Sequence, residues 1–214
     1  MYTGAATAEL QGGGTASAPT PARRPRRKPV VPNGVLGMII FVISELMFFA
    51  GMVSAYLIVK TQAVGGIWPP LNQPRLPIEA TAFNTVVLLL SGVALFMGRA
   101  RFKNATTDDE KQKAKLPLFA ALGLGVFFVL FQGYEWVNLV KEGLTVTTSS
   151  HGSFFYLIVG THALHAVAAI LGLSYCLLKF VKNTLADDEL WTAQVFWTFV
   201  VAMWPILYWQ VYLA

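Results

Sequence analysis

Charge is scarce in this chain: 13% of its 214 residues are Asp, Glu, Lys or Arg, against about 25% in an ordinary soluble domain. A single cysteine, Cys176, excludes a disulfide scaffold and an all-cysteine metal cluster. There is no Gly-rich phosphate loop, no nucleophile–base pair, no pair of catalytic carboxylates and no convincing internal repeat. Nothing in it marks an enzyme acting alone. What is abundant is apolar surface, at 55% of residues and a mean hydropathy of +0.56. One soluble core of this length could not hide that much, so the composition points to an integral membrane protein.

Residues 1–34 differ from the rest. Gly, Ala, Thr, Ser and Pro dominate as far as Pro21, and the basic cluster Arg23, Arg24, Arg26, Arg27 and Lys28 follows. With almost no large apolar residues this segment reads as a disordered tail. The apolar run after the charges continues for about 25 residues, too long for a signal peptide, and reads as a retained span. Five stretches reach the length that a bilayer-crossing helix needs: about 35–59, 78–98, 116–140, 153–178 and 191–213. The expectation is an all-α integral membrane bundle of five helices over 35–214. Thirteen Lys and Arg residues fall in the tail and the 99–115 and 179–190 loops, against Lys60, Arg75 and Lys141 on the other side. That bias predicts a cytoplasmic N-terminus and a C-terminus outside. The net charge of +5 is thereby a topology signal, and a nucleic-acid partner is not expected.

Against this background the ionisable residues inside the spans stand out. Glu45 lies mid-way along the first span and Glu135 in the outer part of the third. Groups at such depth face a bundle interior or a water-filled path. Each glutamate can be read as a hydrogen bond between helices or as a functional carboxyl. His162 and His165, three apart, share one face of the fourth span, and His151 lies at its end. Metal binding is disfavoured, because there is no Glu-x-x-His pattern of the ferritin-like kind. A tetrahedral zinc site would also have to recruit both histidines and two glutamates from other helices. Hydrogen bonding between helices or contact with a lipid headgroup is the preferred reading. At about 1.5 Å per residue, Glu45, His165, His162 and Glu135 fall at successive depths and could form a polar ladder. Ala121-xxx-Gly125 and Ala168-xxx-Gly172 are small-residue pairs suited to close helix packing.

Segments in the same order along the chain then carry a family resemblance. Ser44-Glu45-Leu46-Met47-Phe48-Phe49-Ala50-Gly51 comes first, followed by Gly65-Gly66-Ile67-Trp68-Pro69-Pro70. Asn84-Thr85 with Leu88 to Gly92 comes next, then Gln132-Gly133-Tyr134-Glu135-Trp136, then Gly152 to Phe155 with Gly160-Thr161-His162-Ala163-Leu164-His165. From about Gly37 onward the chain resembles subunit III of haem-copper oxidases, the cytochrome c oxidase subunit 3 family, in its five-helix bacterial type. Trp68, Pro69, Pro70, Asn84 and Thr85 are the signature positions of that resemblance. Many members have seven spans; the two-helix N-terminal bundle of those is not seen here. The family's Trp-His-Phe-Val-Asp in the last helix reads Trp197-Thr198-Phe199-Val200-Val201.

The resemblance implies a non-catalytic subunit of a respiratory terminal oxidase that reduces oxygen to water. It implies direct packing on subunit I, with subunit II and further subunits in the same complex, in a bacterial plasma (inner) membrane. Haem and copper are expected in those partner subunits and none in this chain, whose histidines and single cysteine are too few for such centres. A structural phospholipid and surrounding membrane lipids are expected ligands. Glu45, Glu135, His162 and His165 are assigned to a buried network supporting lipid binding or proton uptake. An accessory subunit of a quinol oxidase or nitric oxide reductase is the nearest alternative. An independent proton-coupled transporter is more remote, because transporters commonly show repeated halves.

Overall fold

A computed structural model describes residues 31–62, 68, 74, 76–147 and 149–213. Most of the expected basic tail, and the signature prolines Pro69 and Pro70, lie outside the described residues. Because lipid offers no partner to a backbone N–H or C=O, apolar segments satisfy these groups within helices. The elements are α1 (Asn33–Thr61), α2 (Ile78–Asn104), α3 (Asp108–Gln112), α4 (Lys115–Lys141), α5 (Ser150–Val181) and α6 (Asp187–Tyr208). A π-helical turn, Trp209–Leu213, follows α6. No strand occurs among the described residues. Five helices, with the short α3 leading into α4, are long and apolar enough to cross a membrane.

These helices outlast the apolar runs that announced them. The second span reads to about 98, but α2 continues to Asn104 through Arg101 and Lys103. Hydrocarbon thickness limits the apolar stretch, while the helix itself is free to run on into the polar interface. Local signals then set the ends. Ser149 accepts the Gly152 N–H at 3.0 Å to cap α5, and a Cβ on Gly152 would strike the Thr145 carbonyl oxygen. Three acids, Asp187, Asp188 and Glu189, occupy the first turn of α6, where the helix dipole favours negative charge.

Helix α6 is the centre of the bundle. It packs against α1, α2 and α5, while α4 closes the ring by packing on α2 and α5. Between α1 and α2 there is little contact, which leaves the ring open on that side. Tryptophans of α6 fill the interior: Trp197 and Trp204 are each 1% exposed. The Trp197 indole N–H donates to Ser91 Oγ at 3.1 Å, and that of Trp204 to Thr85 Oγ1 at 2.8 Å. These bonds tie α6 to α2 at two levels one heptad apart. At one end Arg99 donates through Nε and Nη2 to both carboxylate oxygens of Asp187, at 3.1 and 3.0 Å. Lys179 of α5 pairs with Glu189 in the same turn of α6. Pro205 lacks the N–H that would reach the Val201 carbonyl, and the π-helical turn begins four residues later.

Outward faces carry Ile40, Met47, Phe96, Leu130 and Leu171, all exposed, as lipid-facing positions are. One of the two small-residue pairs is a packing seam and the other is not. Ala121 is buried, and a Cβ on Gly125 would come within 2.5 Å of the Trp197 ring. Ala168 and Gly172 instead face outward. Gly125→Ala is therefore expected to destabilise by about 1–3 kcal/mol through overpacking. Gly123→Ala, two residues away with nothing within 4 Å of its Cβ, gains only helix propensity. Thermal unfolding of the two variants in detergent checks this; equal midpoints would refute the close Trp197 contact.

Candidate functional site: a carboxyl–imidazole pair and a lipid-facing groove

Glu45 on α1 and His165 on α5 meet inside the bundle, 120 residues apart in sequence. Their positions follow from α1 lying in the groove made by α5 and α6. His165 Nε2 lies 3.0 Å from Glu45 Oε2, with the side chains 12% and 19% exposed. His165 Nδ1 lies 2.8 Å from the Thr161 carbonyl oxygen, one turn back on α5. A carbonyl only accepts, so Nδ1 carries a proton. One further proton must then lie between Nε2 and Oε2, because a bare carboxylate facing a bare nitrogen would repel it. Glu45 donates as the acid, or His165 donates as the imidazolium. In both forms the pair is neutral as a unit and holds one transferable proton.

Phenylalanines enclose this pair. Phe49, one turn along α1 and fully buried, packs edge-on against His165 and His162 with ring centroids 5.5 and 6.3 Å apart. Phe196 and Phe199 of α6 lie 6.2 and 5.9 Å from the His165 ring. The ladder expected from the four polar residues is thus joined at two of its rungs. His162 is 1% exposed, stacks on Trp204 at 5.1 Å, and makes no hydrogen bond to a described residue. Glu135 is half-buried on α4 and forms no hydrogen bond or ion pair with a described residue.

The remaining expected positions fall elsewhere. Trp68 donates its indole N–H to the Tyr56 hydroxyl at 3.2 Å and stands edge-on to His151 at 5.2 Å. Asn84, fully buried, donates to the Phe128 carbonyl at 3.1 Å and to Gln132 Oε1 at 3.3 Å. Thr85 receives the Trp204 indole. Asn84 and Thr85 therefore hold α2 to α4 and α6. Among the described residues no three His, Cys, Asp or Glu side chains converge on a point that could hold a metal.

Two features escaped the sequence reading. The first is the pairing of the α6 indoles with Ser91 and Thr85, whose only sequence trace is the seven-residue step from Trp197 to Trp204. The second is a groove of about 450 Å3 where α1 and α2 stand apart over α6. Leu46, Phe96, Phe199 and Met203 line it, and Arg99 and Trp191 close one end, with the guanidinium 4.8 Å from the indole ring centre. Thr198, standing where the family pattern has histidine, also lines this groove.

A family model for cytochrome c oxidase subunit III matches residues 25–214. The chain belongs to this family. It is 32% identical over 192 residues to cytochrome c oxidase subunit 3 of Hippopotamus amphibius, covering 86% of this chain and 71% of that one. It is 33% identical over 185 residues to a probable cytochrome c oxidase subunit 3 of Nocardia farcinica, covering 85% and 88%. The cytochrome c oxidase subunit 3 of Felis catus is 32% identical over 192 residues, again covering 86% of this chain and 71% of its own length. Members of a subunit III family work within an oxidase complex, and five apolar helices make this member a multi-pass membrane protein.

The proton count of the Glu45–His165 pair sets a prediction. Glu45→Gln keeps an N–H that can donate to Nε2 while Nδ1 donates to Thr161. Glu45→Leu leaves Nε2 unpaired and is expected to cost about 1–3 kcal/mol. Comparison of thermal midpoints should place Glu45→Gln nearer the unsubstituted protein. If Gln is as damaging as Leu, His165 is an imidazolium that requires the charged carboxylate.

Proposed function

We propose that this chain is a non-catalytic subunit III of a cytochrome c oxidase-type haem-copper terminal oxidase. The observation that carries the reading is the family match over residues 25–214. Its N-terminus lies in the cytoplasm of a bacterium and its helices cross the plasma membrane, in keeping with thirteen basic residues against three. It packs directly on subunit I, in a complex that also holds subunit II. Redox chemistry belongs to those partners, which carry the haem and copper. The donor set here supports this, since His165 is committed to Glu45 and Thr161, and no third ligand joins the pair among the described residues.

Two supporting roles fit the geometry. Glu45 and His165 hold one transferable proton at the α1–α5 boundary, suited to sustaining proton uptake by the neighbouring subunit. A structural phospholipid lies in the groove between α1 and α2. Leu46, Phe96, Phe199 and Met203 meet its acyl chain, while Arg99 and Trp191 stand at headgroup depth, where such residues anchor at membrane interfaces. The Arg99–Asp187 pair keeps the guanidinium at that end of the groove.

Each role has its own experiment. Glu45→Ala in the assembled oxidase is expected to leave haem content and initial rate near normal and to shorten the enzyme's working life several-fold over sustained turnover. Unchanged activity decay would refute the proton-supporting role. Ala202 lines the same groove and is exposed, so Ala202→Phe is expected to fill it. Native mass spectrometry of the complex should then show one phospholipid fewer; an unaltered lipid count would remove the lipid from this groove.

A further inference from the structure

Helices α2 and α4 run antiparallel: Phe83 of α2 meets Phe131 of α4 with ring centroids 6.4 Å apart, and further along Gly98 faces Leu118. Phe127 stacks on Phe131 at 5.8 Å, and both Phe83 and Phe127 are exposed. One turn beyond the Phe83–Phe131 pair, toward the α2 N-terminus, stand Glu79 on α2 and Glu135 on α4. Neither forms a hydrogen bond or ion pair with a described residue. Glu79 is exposed in the first turn of α2, where the helix dipole favours an acid. Glu135 has no such reason. It is half-buried and lies six residues, roughly 9 Å, inside the end of α4. Lys141, the basic residue at that end, is roughly 120° around the helix from it.

We propose that this seam is the docking surface for a transmembrane helix of another subunit of the oxidase complex, and that the helix brings an Arg or Lys to the level of Glu79 and Glu135. The inference rests on the reading of this chain as one subunit of such a complex. Charge complementarity selects the occupant. Two acids at one level of an antiparallel helix pair repel each other, and a carboxylate at membrane depth is costly without a cation. A phospholipid offers an acyl chain to the phenylalanines but brings a phosphate that these acids repel. A second copy of this chain, seated face to face, would set the same acids against themselves. A basic side chain answers both carboxylates, and a guanidinium can do so with its fork of donors. Below the acids, the exposed rings of Phe83 and Phe127 are of the type that interface cores favour. The charged level then fixes the depth at which the partner helix sits.

Photo-crosslinking in the intact complex tests this. Benzoylphenylalanine placed at Phe83 keeps a phenyl ring at that position, and mass spectrometry after irradiation and digestion identifies what it joins. The expected adduct is a membrane helix of another oxidase subunit, with an Arg or Lys within about one turn of the attached residue. Adducts to lipid alone, to a second copy of this chain, or to a helix without that basic residue would each overturn the proposal. Glu135→Gln gives a second readout that preserves shape. Several-fold more of this chain is expected to separate from the haem-containing complex during detergent washing. Glu142→Gln, at an exposed position just past the end of α4, should leave retention unchanged. Equal retention of Glu135→Gln and the unsubstituted chain would also overturn the proposal. Failure of the unsubstituted chain to bring down any haem-containing partner is a different result, and it refutes the reading as an oxidase subunit together with the docking surface.

Discussion

Inside a bilayer a polar group has only protein, or water sealed in with it, to bond to. That constraint, an expensive one for any unpaired donor or acceptor, shapes this molecule at every level. It turns each apolar run into a helix. It pairs the two buried indoles of α6 with hydroxyls of α2, and it brings Glu45 to His165 across the α1–α5 boundary. The same constraint draws attention to His162, whose nitrogens have no described partner. Conventional hydrophobic driving force is weak between lipid-bathed helices, so such bonds and close packing carry much of their association.

Because the bonds converge on α6, that helix organises the rest. Two levels of indole–hydroxyl contact fix its rotation against α2. At one end, Arg99 and Lys179 from two different helices clasp the acidic first turn that its own dipole favours. With α6 occupying the centre, α1 and α2 are held apart, and the groove between them is a consequence of the packing. The groove opens beside α1, the span least enclosed by its own chain.

The five spans and the depth of Glu45 were legible in the sequence because hydrocarbon thickness writes itself as run length and charge exclusion. The shared face of His162 and His165 was legible from spacing alone. Their different fates were not, since periodicity says which residues share a face and nothing about what approaches it. Glu135 illustrates the same limit: its depth suited the ladder, but α4 lies across the bundle from α1. Ala168 and Gly172 show that a small-residue motif marks a seam only where a neighbouring helix arrives. The α2 extension to Asn104 was hidden because helix geometry continues where hydropathy stops. Ser91 and Thr85 were ordinary small polar residues until the tryptophans of α6 gave them a role.

The family match places this chain in an oxidase complex, and the proposal that the redox centres belong to partner subunits rests on that match. The most direct measurement is purification in a mild detergent by a tag on this chain, followed by an optical spectrum and mass spectrometry of what accompanies it. The account predicts a complex with haem absorption and a larger oxidase subunit in equal proportion to this chain. A colourless, stable homo-oligomer without those partners would contradict it.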